Sequence, residues 1–203
     1  MKHILLALIF SSMATVNASD LTLADLPAAT AAANEQAQVI YGDDQIISYI
    51  ATLDGHDAEV EVLSAFADSL IKSEYHCHEH GAEIDCHNEG EEVVGEYDGS
   101  ELVPYSMLRA GELGALNLLT PTLRANVKSY KIWGSITHDD HDDHGDHKED
   151  EHEEIEIWAR FNLVINGQAR SVFAYCHEAS HGGGPTRFDC HIERTGPANE
   201  PQF

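Results

Sequence analysis

Apolar residues recur at helical spacing through the first third of the chain and at alternating spacing through the last third. Residues 21–37 are rich in Ala and predict a helix, with Pro27 tolerated only near its start. Asp43 and Asp44 can cap a second helix in which Ile46, Ile47, Ile50 and Leu53 fall at helical intervals. A third is expected after Asp57, with Val62, Leu63, Phe66, Leu70 and Ile71 on one face. These stripes read as core packing. From Tyr75 onward the pattern becomes strand-like, broken by a short helix near Glu112 to Leu119. Residues 155–165 alternate most regularly, with Ile155, Ile157, Ala159, Phe161, Leu163 and Ile165 on one side. Asn166-Gly167 then signals a two-residue hairpin into residues 168–177. Residues 127–137 are expected to pair with the 155–165 strand from the other side. The predicted fold is α+β: amino-terminal helices packed on an antiparallel β-meander.

Two hairpins in that meander share a pattern. Cys77-His78-Glu79 and Asp85-Cys86-His87 recur as Cys176-His177-Glu178 and Asp189-Cys190-His191. Four cysteines allow three pairings. The flanking residues favour Cys77 with Cys86 and Cys176 with Cys190, each across its own hairpin. In the first hairpin this register leaves Gly81-Ala82 as the turn and sets His76 against His87, His78 against Asp85, and His80 against Glu83. In the second, His177 faces Asp189 and Tyr175 faces His191, over a longer loop that contains His181. Imidazole and carboxylate are suitable ligands for zinc, copper or nickel, and Asp85 or Asp189 can act as a ligand or orient an imidazole. A shared site of His78, His87, His177 and His191 would require the two hairpins to face each other. A zinc site built on thiolates is disfavoured, because neighbouring strand residues such as Cys77 and His78 point to opposite faces and the CxxC knuckle is missing.

The segment joining the 127–137 and 155–165 strands adds a second ligand-rich feature. Its 17 residues, 138–154, hold His138, His141, His144, His147 and His152 among ten acids, with no apolar side chain. Such a composition cannot bury a core and is expected to form a disordered loop. It resembles the His-rich loops of periplasmic zinc-transport binding proteins. That resemblance, confined to these residues, implies collection or delivery of metal, zinc first.

Charge and compartment narrow the partners. With 11 basic and 36 acidic residues the 203-residue chain carries a formal charge of −25, which disfavours nucleic acid and anionic lipid and favours cations. The start of the chain reads as an export signal: Lys2 and His3, an apolar run from Ile4 to Phe10, and Val16-Asn17-Ala18 as a small-residue cleavage site. The apolar run falls below the ~20 residues that span a bilayer, so stable membrane insertion is not expected. Cleavage near Ala18 would leave residues 19–203 as one domain in the periplasm or outside the cell, where disulfides persist.

No HExxH, GxSxG or P-loop pattern occurs. Trp133 and Trp158 are expected to pack rather than to bind. The function expected from sequence is therefore binding of a divalent transition metal, zinc ahead of copper or nickel, as a periplasmic buffer or chaperone. Its partner would be a metal transporter or a metalloprotein client. The alternatives are an acidic, disulfide-stabilised interaction module or, less favoured, a metallohydrolase.

Overall fold

The computed structural model describes residues 20–42, 44–81, 83–138, 153–178, 188–194, 196 and 200–201. The expected export signal, most of the His-rich loop and His181 lie outside these residues.

The chain forms an eight-stranded antiparallel sheet with helices on one face. In sequence order the elements are α1 (Leu26–Tyr41), β1 (Ile46–Asp54), β2 (Asp57–Phe66), β3 (Ser69–His80) and β4 (Glu83–Glu96), followed by α2 (Tyr105–Leu118), α3 (Pro121–Arg124), β5 (Val127–His138), β6 (Glu153–Ile165), β7 (Gln168–Glu178) and β8 (Phe188–Glu193). The strand order across the sheet is β4-β3-β2-β1-β5-β6-β7-β8. Each half is a long helix followed by a four-stranded meander, with the short α3 added in the second half, and the halves meet where β1 pairs antiparallel with β5. The repeat visible in the Cys-His hairpins thus extends to the helix and all four strands of each half among the described residues.

The sheet is larger than the sequence pattern suggested. The helices expected after Asp43 and after Asp57 are absent; those residues form β1, β2 and the start of β3. Ile46, Ile50 and Leu53 mimic helical spacing, but the β-branched side chains of the segment suit a pleated sheet, and tertiary pairing decides. In β2 the signal was an alternation: Ala58, Val60 and Val62 are buried, whereas Asp57, Glu59 and Glu61 are only partly so. The predicted strands 127–137, 155–165 and 168–177 appear as β5, β6 and β7. Asn166 and Gly167 both take positive φ in the turn between β6 and β7, as a two-residue hairpin requires.

Close helix-to-sheet packing explains the small residues of both helices. In α1, Ala29, Ala33 and Ala37 are fully buried, and the Ala29 carbonyl lies 3.5 Å from Cys86 Sγ. In α2, a methyl on Gly114 would stand 2.6 Å from Cys190 Sγ, and Gly111 rests on Ile157. Both disulfides therefore lie beneath a helix and belong to the core.

At the junction of the halves, Glu112 of α2 is fully buried. It accepts hydrogen bonds from Tyr49 of β1 at 3.0 Å, Thr30 of α1 at 3.0 Å and Tyr130 of β5, and it pairs with Arg109. Tyr49 and Tyr130 hold equivalent places in the two meanders, as their rungs to Val62 and Phe161 show.

Replacing Glu112 by Ala leaves two phenols without their acceptor and removes the carboxylate partner of Arg109, and should cost about 3–5 kcal/mol in denaturant unfolding. Burial first, and then the Glu112 charge, raise the phenols of Tyr49 and Tyr130 well above the ordinary value of 10. A raised folded-state value stabilises the fold below pH 10 and loses that contribution as pH climbs toward the folded value. Alkaline titration should accordingly show the last tyrosinate absorbance appearing together with loss of near-UV circular dichroism. Ionisation of all tyrosines with the fold intact would contradict this.

Candidate metal centre

A disulfide between opposed strand residues fixes which side chains share a face. Cys77 pairs with Cys86 and Cys176 with Cys190, as the sequence pattern indicated, and both pairs point toward the helices. Period-two alternation then sends the flanking histidines to the other face. Across three strands the rungs read Asp57, His78, Asp85 and Glu59, His76, His87. His80 faces Glu83 next to the turn.

Within this ladder His78, Asp85 and His87 each offer a ligand atom, and the three atoms lie within 4.8 Å of one another. The His78 and His87 rings are 5.1 Å apart, and His87 Nε2 stands 3.7 Å from Asp85 Oδ2. Around a tetrahedral ion with bonds of ~2.1 Å, neighbouring ligand atoms are about 3.4 Å apart, so small rotamer adjustments would close the set. His76 is held differently. Its Nδ1 lies 2.8 Å from Glu59 Oε1 and its Nε2 3.7 Å from Asp57 Oδ2. The hydrogen bond to Glu59 raises its pKa above the ordinary 6.5, against the opposing effect of partial burial. Asp57 and Glu59 join this ladder because their segment forms a strand in place of the expected helix; the alternation of β2 is the signal that points to them.

The second hairpin keeps the pattern and changes its neighbours. Its rungs are Glu156, His177, Asp189 and Trp158, Tyr175, His191, so that Trp158 and Tyr175 replace Glu59 and His76. The rings pack closely, with Trp158 4.7 Å from Tyr175 and His177 stacked on Tyr175 at 5.6 Å. Tyr175 donates to Glu156 Oε1 at 2.8 Å, and His191 Nε2 lies 2.9 Å from Glu193 Oε1. His177 and His191 are 6.1 Å apart, and among the described residues only the first hairpin gathers three ligand atoms. Trp133 is buried on the same face of the sheet, as a packing residue.

The two hairpins occupy opposite edges of the sheet. From β3 to β7 is five strand spacings, roughly 24 Å at ~4.8 Å each, so His78, His87, His177 and His191 do not share an ion. The His-rich segment springs from the β5–β6 rung of Thr137 with Glu154, at the end of the sheet where Glu156 meets His177 and away from the His78 cluster. The side chains of His138, His141, His144, His147 and His152 lie outside the described residues.

The two disulfides point to an oxidising, extracytoplasmic compartment, and among the described residues no helix is long and apolar enough to cross a membrane. No known protein family, curated protein or solved structure matches the chain.

Replacing Cys77 and Cys86 together by Ala removes the first cross-link and should cost about 2–3 kcal/mol by loop closure, plus a packing loss beneath α1. Thermal unfolding with and without reductant checks this: the reductant sensitivity that remains in the double variant should belong to Cys176–Cys190 alone.

Proposed function

We propose that the protein binds a divalent transition metal, zinc first, as an exported buffer or chaperone that serves a metal transporter or metalloprotein client. The observation that carries this reading is the set His78, Asp85 and His87, three ligand atoms within 4.8 Å on a hairpin held rigid by its own disulfide. Two imidazoles and a carboxylate suit zinc, and copper or nickel would use the same atoms. Asp57 and Glu59, aligned on the same rungs, add negative potential that favours a cation and supply hydrogen-bond acceptors for imidazole N–H groups.

The His-rich segment contributes capacity. Five His among ten acids in residues 138–154 can hold several ions weakly and exchange them quickly. That segment leaves the sheet at the other end from the His78 cluster, so removing it leaves the strands that carry the cluster in place. A second reading, metal-assisted hydrolysis, draws on the same geometry, since three protein ligands leave a coordination position for water.

Native mass spectrometry of residues 19–203 titrated with zinc, alongside a form lacking residues 139–152, tests the proposal. The intact chain should take up several ions. The deletion form should hold one, with the affinity of that ion changed by less than about twofold. Changing His78 or His87 to Ala in the deletion form should weaken the retained ion at least tenfold, whereas His177→Ala should leave it unchanged. Failure of the deletion form to retain any ion above a His-free acidic control sinks the site. Turnover of an ester or peptide that a chelator abolishes would favour the hydrolase.

A further inference from the structure

The helix layer is incomplete at one end of the seam between the halves. Between the amino-terminal end of α1 and the carboxyl-terminal end of α2, above the adjoining ends of β1 and β5, lies a cavity of about 590 Å³. That size falls within the ~300–1,000 Å³ usual for small-molecule sites. At the other end of the seam the corresponding space is filled: Val103 packs on Gly134, and the Tyr105 ring lies 6.3 Å from that of Tyr49.

The lining is aliphatic within and basic at the rim. Leu23, Leu53, Leu116 and Val127 form apolar walls, no aromatic ring takes part, and the charged residues among the lining are Arg124 and Lys128. This is an unusual place in a chain with 36 acidic and only 11 basic residues. Arg124 is fixed there by donating from Nε to the Leu119 carbonyl at 3.0 Å and from Nη2 to the Leu116 carbonyl at 2.7 Å. Among the described residues no carboxylate stands within ion-pair distance of Arg124 or Lys128.

We propose that this cavity binds a small amphipathic anion, an aliphatic chain ending in a carboxylate. The chain lies against the leucines and Val127, where its CH₂ groups are removed from water. The carboxylate sits at the rim, paired with Lys128 and facing the guanidinium of Arg124. The lack of aromatic walls argues against planar ligands, which gain from stacking. The basic rim selects against cations, although the formal net charge of the chain is −25. The site lies on the helix side of the sheet, so it is independent of the proposed metal centre on the opposite face.

Isothermal titration of the protein with decanoate in the presence of a chelator tests the proposal, with decanol and decyltrimethylammonium as comparison probes. Decanoate should saturate one site per chain below its micellar range. Decanol should bind at least tenfold more weakly, and the ammonium should not saturate. Lys128→Glu, at an exposed position, should weaken decanoate at least tenfold without altering the circular dichroism. Ala125→Trp, which fills the mouth, should abolish binding. Equal binding of decanoate and the ammonium compound, no saturation by decanoate, or unchanged binding by Lys128→Glu would each overturn the assignment. Retained zinc uptake alongside any of these results leaves the metal reading standing.

Discussion

A carboxylate with no exposed surface sits where the two halves of the molecule meet, and the geometry of the seam follows from what it needs. Glu112 draws its donors from four elements: Thr30 from α1, Tyr49 from β1, Tyr130 from β5 and Arg109 from α2 itself. A buried charge with this many partners adds little net stability, because desolvation consumes most of the gain. Its effect falls on register. β1 and β5 pair over the rungs from Ser48 with Trp133 to Thr52 with Ser129, and a slip of one residue in either strand would turn its tyrosine to the opposite face. Glu112 would then lose a donor with nothing to replace it. The carboxylate thereby selects one alignment of the halves, and through it the positions of both hairpins at the outer edges.

The disulfides impose a second constraint of the same kind. Each joins residues directly opposed on neighbouring strands and faces a helix, with Cys77 and Cys176 fully buried. The helices come close enough to cover the sulfur atoms because Ala29, Gly111 and Gly114 present almost no side chain there. With the cysteines committed to the core, residues one position away have to lie on the other face. The histidine ladder is thus a geometric consequence of the disulfides, and its partial exposure leaves it accessible to ions.

Much of this was legible in the sequence where the local signal and the tertiary outcome agreed. The carboxyl-terminal strands, the Asn166-Gly167 turn, the cysteine pairing and the rungs His76 with His87 and His78 with Asp85 follow from alternation and cross-strand geometry alone. The amino-terminal strands did not, because Ile46, Ile50 and Leu53 satisfy a helical period as well as a strand, and only pairing with β2 and β5 decides. Asp57 and Glu59 reach the histidine rungs only through the pairing of β2 with β3. Glu112 was unreadable for another reason. It sat within a predicted short helix as an ordinary acid, and its partners are 18, 63 and 82 positions away. Whether the two hairpins meet is likewise a property of strand order, which no local pattern carries.

The two halves show how one framework can bring three ligand atoms together on one side and keep them apart on the other. The cysteines, His78 and His177, Asp85 and Asp189, and His87 and His191 occupy equivalent rungs. The difference lies one strand inward and one rung along, where Glu59 and His76 give way to Trp158 and Tyr175. In the first half His76 is drawn toward Glu59, and the His78 and His87 rings lie 5.1 Å apart. In the second half Tyr175 stacks on His177 and meets the His191 ring edge-on at 5.3 Å. Glu156, the counterpart of Asp57, is engaged by the Tyr175 hydroxyl, and Glu193 takes up His191. The aromatic pair gains packing energy by covering the sheet, and the same contacts hold the imidazoles 6.1 Å apart. Ligand identity is therefore not enough to define the centre; the side chains on the neighbouring rungs determine whether the ligands can converge on one ion.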